Sequence, residues 1–256
     1  MVEPRSFDLE LSIVRTASPP EVVRHESWTD GRGRPCAWGC GSLEGGRIEV
    51  AGVGVYCFSS RSRIVEAHLA RGLPISRARA AFDRVVRPLV LQTRGWQPVH
   101  ASAVAQATGV VGLCGRSGAG KSTMARAWSR DRDLVFADDT LAMRSDQSVP
   151  QVLKLPMRPA SRPAAGTIAR LRAIVLLETK GPDPASLERL SPKAALTDLL
   201  PHAVCLDTTD RGLRRELFTR VLAVVETVPV FRLRYRQTSD SISALTGLLD
   251  ERFGAY

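Results

Sequence analysis

The run Gly115-Arg116-Ser117-Gly118-Ala119-Gly120-Lys121-Ser122 constrains this chain more than any other stretch. It matches the Gly-x4-Gly-Lys-Ser pattern, follows an apolar segment at 109–114 and leads into helical spacing at 121–130. A strand that ends in a glycine turn and opens straight into a helix aims backbone N–H groups and the helix's positive end at one point. The glycines let phosphate oxygens approach the backbone, Lys121 adds a point charge for the outer phosphates, and the Ser122 hydroxyl can ligate magnesium. Residues Gly115, Arg116, Ser117, Gly118, Ala119, Gly120, Lys121, Ser122 and Thr123 are therefore expected to hold a nucleoside triphosphate, taken as ATP, with Mg2+.

A second signal follows at once. The apolar run 134–137 closes on Asp138-Asp139, only 17 positions beyond Lys121. Carboxylates at the C-terminal end of a strand lie where α/β sheets place ligands. One can complete a magnesium shell, and the other can take a proton from an acceptor hydroxyl. A third residue, His100 in Pro98-Val99-His100-Ala101-Ser102, stands just before the strand that feeds the glycine turn. A lone histidine is more often structural, and its position alone assigns it nothing.

Around these residues the chain falls into two regions. Residues 7–60 show short alternating runs (7–11, 47–50, 53–58) separated by glycine turns at 30–33 and 44–46, which predicts a small β-rich domain over 1–85. Segments 64–69 and 76–91 have helical spacing. From about residue 96, strands at 109–114, 134–137, 152–155, 173–177 and 230–235 alternate with helices at 121–130, 193–200, 210–226 and 239–249. This gives an α/β catalytic domain over 86–256, with a proline-rich loop at 156–163.

Composition narrows the partners. The net charge is +10, from 36 Lys and Arg against 26 Asp and Glu, which suits phosphates or acidic peptides. The arginines are scattered and no nucleic-acid module is present, so no nucleic-acid partner is expected. No apolar run approaches a bilayer span and the first ten residues carry charges, so the chain is read as cytoplasmic with no membrane partner. Cys36 and Cys40 have Cys-x3-Cys spacing but no second pair follows, which favours reduced thiols over structural zinc.

The three site signals together resemble the catalytic domain of HPr kinase/phosphorylase: a histidine on the strand before the loop (His100), the glycine loop (Gly115 to Ser122), and Ala137-Asp138-Asp139 on the next strand. The resemblance covers about residues 96–180. It implies a P-loop kinase core akin to that of phosphoenolpyruvate carboxykinase, and transfer of a terminal phosphoryl group to a protein serine. It also implies that Lys121 and Ser122 hold triphosphate and metal, Asp138 is the base, Asp139 supports the metal, and His100 lines the site. The parent family forms hexamers, so homo-oligomers are implied by the same likeness. The layout is most similar to HPr-kinase-related proteins found with ribosomally made peptides, including lasso peptide kinases. The expected partner is then a peptide or small protein bearing an acceptor serine, and the β-rich region is expected to dock it or to assemble the protein. A nucleotide-dependent switch and a small-molecule kinase remain the alternative readings.

Overall fold

The computed structural model describes residues 8–29, 33–129, 134–146, 149–157, 164–181, 184–236 and 241–254. The chain divides into two compact units, Met1–Trp96 with Cys205–Leu217, and Gln97–Val204 with Phe218–Tyr256. The expected boundary at residue 85 moves to Trp96, because the helical stretch after the first sheet is packed into the first unit's core. A short later segment also returns to that unit.

In the first unit, strands β1 (Glu10–Arg15), β2 (Glu26–Thr29), β3 (Pro35–Ser42), β4 (Gly45–Val50), β5 (Gly54–Ser59) and β6 (Ile64–Leu69) form one sheet in the order β1-β6-β5-β4-β3-β2. All neighbours are antiparallel except β1 with β6. β6 corrects the expectation of helical spacing at 64–69. Its Val65, Ala67 and Leu69 alternate into the core while Ile64 and Glu66 face out, the period of a half-buried strand. Short apolar runs are ambiguous between the two periods, and here pairing on both sides decides.

Helices α1 (Ile75–Ala81) and α2 (Arg87–Val90), joined by a wider turn over Phe82–Val86, bury Ala78, Phe82, Val86, Leu89 and Val90. The Tyr56 hydroxyl donates to the Ala78 carbonyl at 2.8 Å, tying helix to sheet. The returning segment is held through Asp207, which is buried and accepts from Thr209 Oγ1 (2.6 Å) and Gly41 N (3.2 Å), with His25 Nδ1 at 2.9 Å. Burial alone would raise the pKa of Asp207, but these hydrogen bonds outweigh it and hold the carboxyl below its usual range. The turn expected at 30–33 lies, except for Gly33, outside the described residues.

The second unit contains β7 (Gln97–Gln106), β8 (Gly109–Gly115), α3 (Lys121–Trp128), β9 (Val135–Ala137), β10 (Thr140–Asp146), β11 (Val149–Leu153), β12 (Ile168–Glu178), β13 (Ser186–Arg189), α4 (Pro192–Leu199), most of α5 (Arg211–Thr227), β14 (Val230–Arg234) and α6 (Ser241–Phe253). The strand order is β11-β10-β7-β8-β12-β14-β13, with β9 beside β7. β11 also pairs with β12, so five strands close a ring.

β8, β12 and β14 run parallel, and Gly115, Leu177 and Leu233 stand side by side at their C-terminal ends. Beneath that edge lies a core of Val111, Leu113, Val175, Phe231, Leu245 and Phe253 with Met124 and Trp128 from α3. The loop expected at 156–163 lies outside the described residues beyond Met157. Among the described residues, no helix is long and apolar enough to cross a membrane.

Candidate functional site

The glycine loop leaves the C-terminal end of β8 and enters α3 at Lys121. Gly115 allows this because a Cβ there would stand 3.1 Å from both the Cβ and the carbonyl oxygen of Leu177 on the neighbouring strand. Gly118 (φ 81°) and Gly120 (φ 79°) take the left-handed conformation that turns the chain back into the helix. The buried Ala119 anchors the loop from below: its N–H donates to the Arg116 carbonyl at 3.1 Å, and its carbonyl accepts from the Tyr235 hydroxyl at 2.5 Å. A Cβ on Gly118 would meet nothing within 4 Å, so the space beside this turn of the loop is open.

Lys121 is 8% exposed and folds back over the loop, its Nζ donating to the carbonyls of Gly115 (2.9 Å) and Arg116 (3.2 Å). Burial lowers its pKa, opposed by the negative charge of Asp139. Ser122 stands on the first turn of α3. Its hydroxyl donates to the backbone carbonyl of Asp138 at 3.1 Å and lies 3.4 Å from the Ser102 hydroxyl. Ser102 donates to the same carbonyl at 2.7 Å. Thr123 is exposed on that turn.

The two adjacent carboxylates diverge. Asp139 is exposed, and its Oδ1 lies 3.3 Å from His100 Nδ1. The Asp138 Oδ2 accepts from Arg126 Nη2 at 2.8 Å, and its Oδ1 is buried without a hydrogen-bond partner. The two residues form the bend between β9 and β10, so the chain turns between them. The structure thus brings together the loop lysine, Asp139 and His100 on one side, and Ser122 with the Asp138 backbone on the other.

Several residues here carried no signal in the sequence. Ser102 follows His100 by two positions on β7, so strand periodicity could have pointed to it. Arg126 lies four residues after Ser122, one helical turn along α3. A cleft of about 970 Å3 opens beside the loop, bordered by Gly115 to Ala119 and His100, by the ends of β12 and β14, and by Thr197, Asp198 and His202 near α4. α4 is fixed by Ser191, whose side chain accepts from Ala194 N (3.4 Å), with Pro192 as the first helical residue. Burial lowers the pKa of His202, and the charges of Lys121, His100 and Arg116 push the same way against Asp198. No motif marks this wall because its residues come from segments distant in sequence.

Chemically, the open loop offers oriented N–H groups and a lysine to an anion, and it sets hydroxyl and carboxylate oxygens nearby. An all-oxygen donor set with an orphaned carboxylate oxygen suits a hard divalent cation.

The chain matches no protein-family model and no curated protein sequence. Among solved structures it is similar to the Hpr(Ser) kinase/phosphatase from Coxiella burnetii, at 11% identity and a TM-score of 0.37, over 61% of this chain and 95% of that one. That likeness is distant.

Proposed function

We propose that this chain is a magnesium- and ATP-dependent kinase, built on a P-loop core, that transfers the terminal phosphoryl group to a serine hydroxyl of a peptide or small protein, such as a ribosomally made precursor peptide. The observation that carries this reading is the open glycine loop at the end of a parallel strand, with Lys121 folded over it and Asp139 and His100 facing the same side. Ser122 and the unpartnered oxygen of Asp138 are the groups that would hold Mg2+, which supplies charge neutralisation on the outer phosphates.

The reaction needs a proton acceptor, because a hydroxyl is a poor nucleophile at neutral pH. The serine oxygen bonds to the γ-phosphorus, the bond from that phosphorus to the bridging oxygen breaks, and the serine proton passes to a carboxylate. The resemblance in the sequence implies that role for Asp138 and the metal for Asp139. The geometry favours the reverse: one oxygen of Asp138 is already held by Arg126 and its backbone holds Ser122, whereas Asp139 is exposed beside His100. Lys121 stabilises the charge that develops on the transferred group.

Single-turnover transfer from γ-labelled ATP to serine peptides, with the phosphate placed by mass spectrometry, tests both the activity and the order of the two aspartates. Asp139→Asn should lower the transfer rate by about 10²–10⁴-fold with ATP binding retained. Asp138→Asn should weaken magnesium-dependent binding instead. The opposite pattern restores the order implied by the family, and near-normal transfer by both variants removes the mechanism. Phosphate release to water without transfer to any peptide points to a switch.

A further inference from the structure

The cleft beside the loop has a direction and a charge, and together they specify an acceptor. Its direction comes from Lys121. In such loops the lysine serves the outer phosphates, and here its Nζ sits at the carbonyls of Gly115 and Arg116. On the phosphotransfer reading the terminal phosphate would sit over that corner, and Gly115 and Arg116 border the cleft together with His100. On that reading the inner phosphates fall towards the first turn of α3; Lys121, Ser122, Thr123 and Asp139 do not themselves line the cleft, which meets the loop at Gly115 to Ala119.

Its charge comes from unequal pairing. Arg232 is saturated: it contacts Asp198 closely, Glu178 at 3.7 Å and Glu188 at 3.8 Å. Arg234, more exposed, must share Glu178 with it at 3.3 Å. Arg116 and Lys180 line the same cleft and are exposed, and neither has a carboxylate partner among the described residues. Three cations thus line the cleft with one shared carboxylate between them.

We propose that this wall, with Arg116, Lys180 and Arg234, is the acceptor subsite, and that it selects a serine segment bearing Asp or Glu side chains close to the reacting serine. The assignment rests on the phosphotransfer reading for its direction, but the charge selection can be measured without catalysis. Half-exposed ion pairs are modest and screened by salt.

The test uses the full chain and two fluorescent peptides that differ only in Glu or Gln on either side of one serine. Fluorescence anisotropy should show about five- to tenfold tighter binding of the Glu peptide at low salt, fading as salt rises. Lys180→Glu should abolish that preference, and the milder Arg234→Gln should halve it or more, with ATP affinity unchanged in both. Equal binding of the two peptides, or a preference that survives Lys180→Glu, overturns the proposal. So does a loss of ATP affinity in Lys180→Glu matching the loss of peptide affinity, which assigns the wall to the nucleotide. If ATP fails to bind the wild type while the Glu preference and its loss are seen, the subsite stands and the kinase reading falls.

Discussion

The second unit buries more apolar side chains than the first, and the two treat charge differently. The first unit folds a mostly antiparallel sheet whose strands alternate buried and exposed residues, and its buried carboxylate, Asp207, is tied down by four donors or partners at short range. The second unit runs three strands parallel, so their C-terminal ends converge on one edge. It also holds all four lysines of the chain, with Lys121 and Lys154 buried. Antiparallel neighbours send their ends in opposite directions and gather no such edge. Convergent strand ends are where α/β sheets place ligands.

The largest effects that can break this comparison come from matched core truncations. Phe136→Ala and Tyr56→Ala each empty a fully buried aromatic site, in the second and first unit respectively, and each should cost about 3–5 kcal/mol in urea unfolding. Phe136 sits on β9, which delivers Asp138 and Asp139, so its loss should also lower phosphotransfer per folded molecule. Tyr56→Ala should leave ATP affinity of the folded protein within about twofold. Equal functional losses in the two variants would erase the division between the units.

Lys154 sharpens the contrast in buried charge. Its Nζ donates to the Val135 carbonyl at 2.6 Å and lies over the Phe136 ring, and burial pushes its pKa down to about 8. Between about pH 8 and the ordinary lysine value near 10.4, the unfolded chain binds more protons at this site than the folded one. Stability should therefore rise with pH across that window, by up to about 3 kcal/mol, and the penalty is fully present below it. Lys154→Met should flatten the rise. A slope identical in wild type and variant would show that Lys154 is not the group responsible.

A smaller, cleaner comparison uses two glycines with nearly the same backbone. Gly72 (φ 83°) in the first unit and Gly118 (φ 81°) in the loop both have nothing within 4 Å of an added Cβ. Alanine at either should cost about 1–2 kcal/mol of stability through the left-handed conformation. Only Gly118→Ala should also weaken ATP binding, because Gly118 belongs to the proposed phosphate loop and its left-handed turn shapes it.

Much of this was legible in the sequence where local chemistry dictates structure. The glycine loop, the strand before it and the helix after it occur where 109–130 predicted them, because phosphate-loop geometry needs particular residues at fixed offsets. Ile64 to Leu69 misled because six apolar-rich residues fit two periods, and only pairing with β1 and β5 chooses. The 205–217 return was invisible because its anchor, Asp207 with His25 and Gly41, joins residues more than 160 positions apart. Asp138 and Asp139 diverge at the bend between β9 and β10, and which one meets His100 depends on β7 lying beside β10, with Thr140 opposite His100. Arg232, Arg234 and His202 were hidden for the same reason, as they meet only where separate segments end.

The proposed site stands or falls on whether the loop binds a magnesium nucleotide through Lys121. Titration calorimetry of ATP into the full chain, with Mg2+ and then with a chelator, tests it most directly when repeated on Lys121→Ala with circular dichroism as the check on folding. The account predicts ATP binding that depends on Mg2+ and weakens at least about tenfold in a folded Lys121→Ala, roughly 1.4 kcal/mol. Absence of ATP binding by the wild-type chain, or unchanged affinity in folded Lys121→Ala, would contradict it.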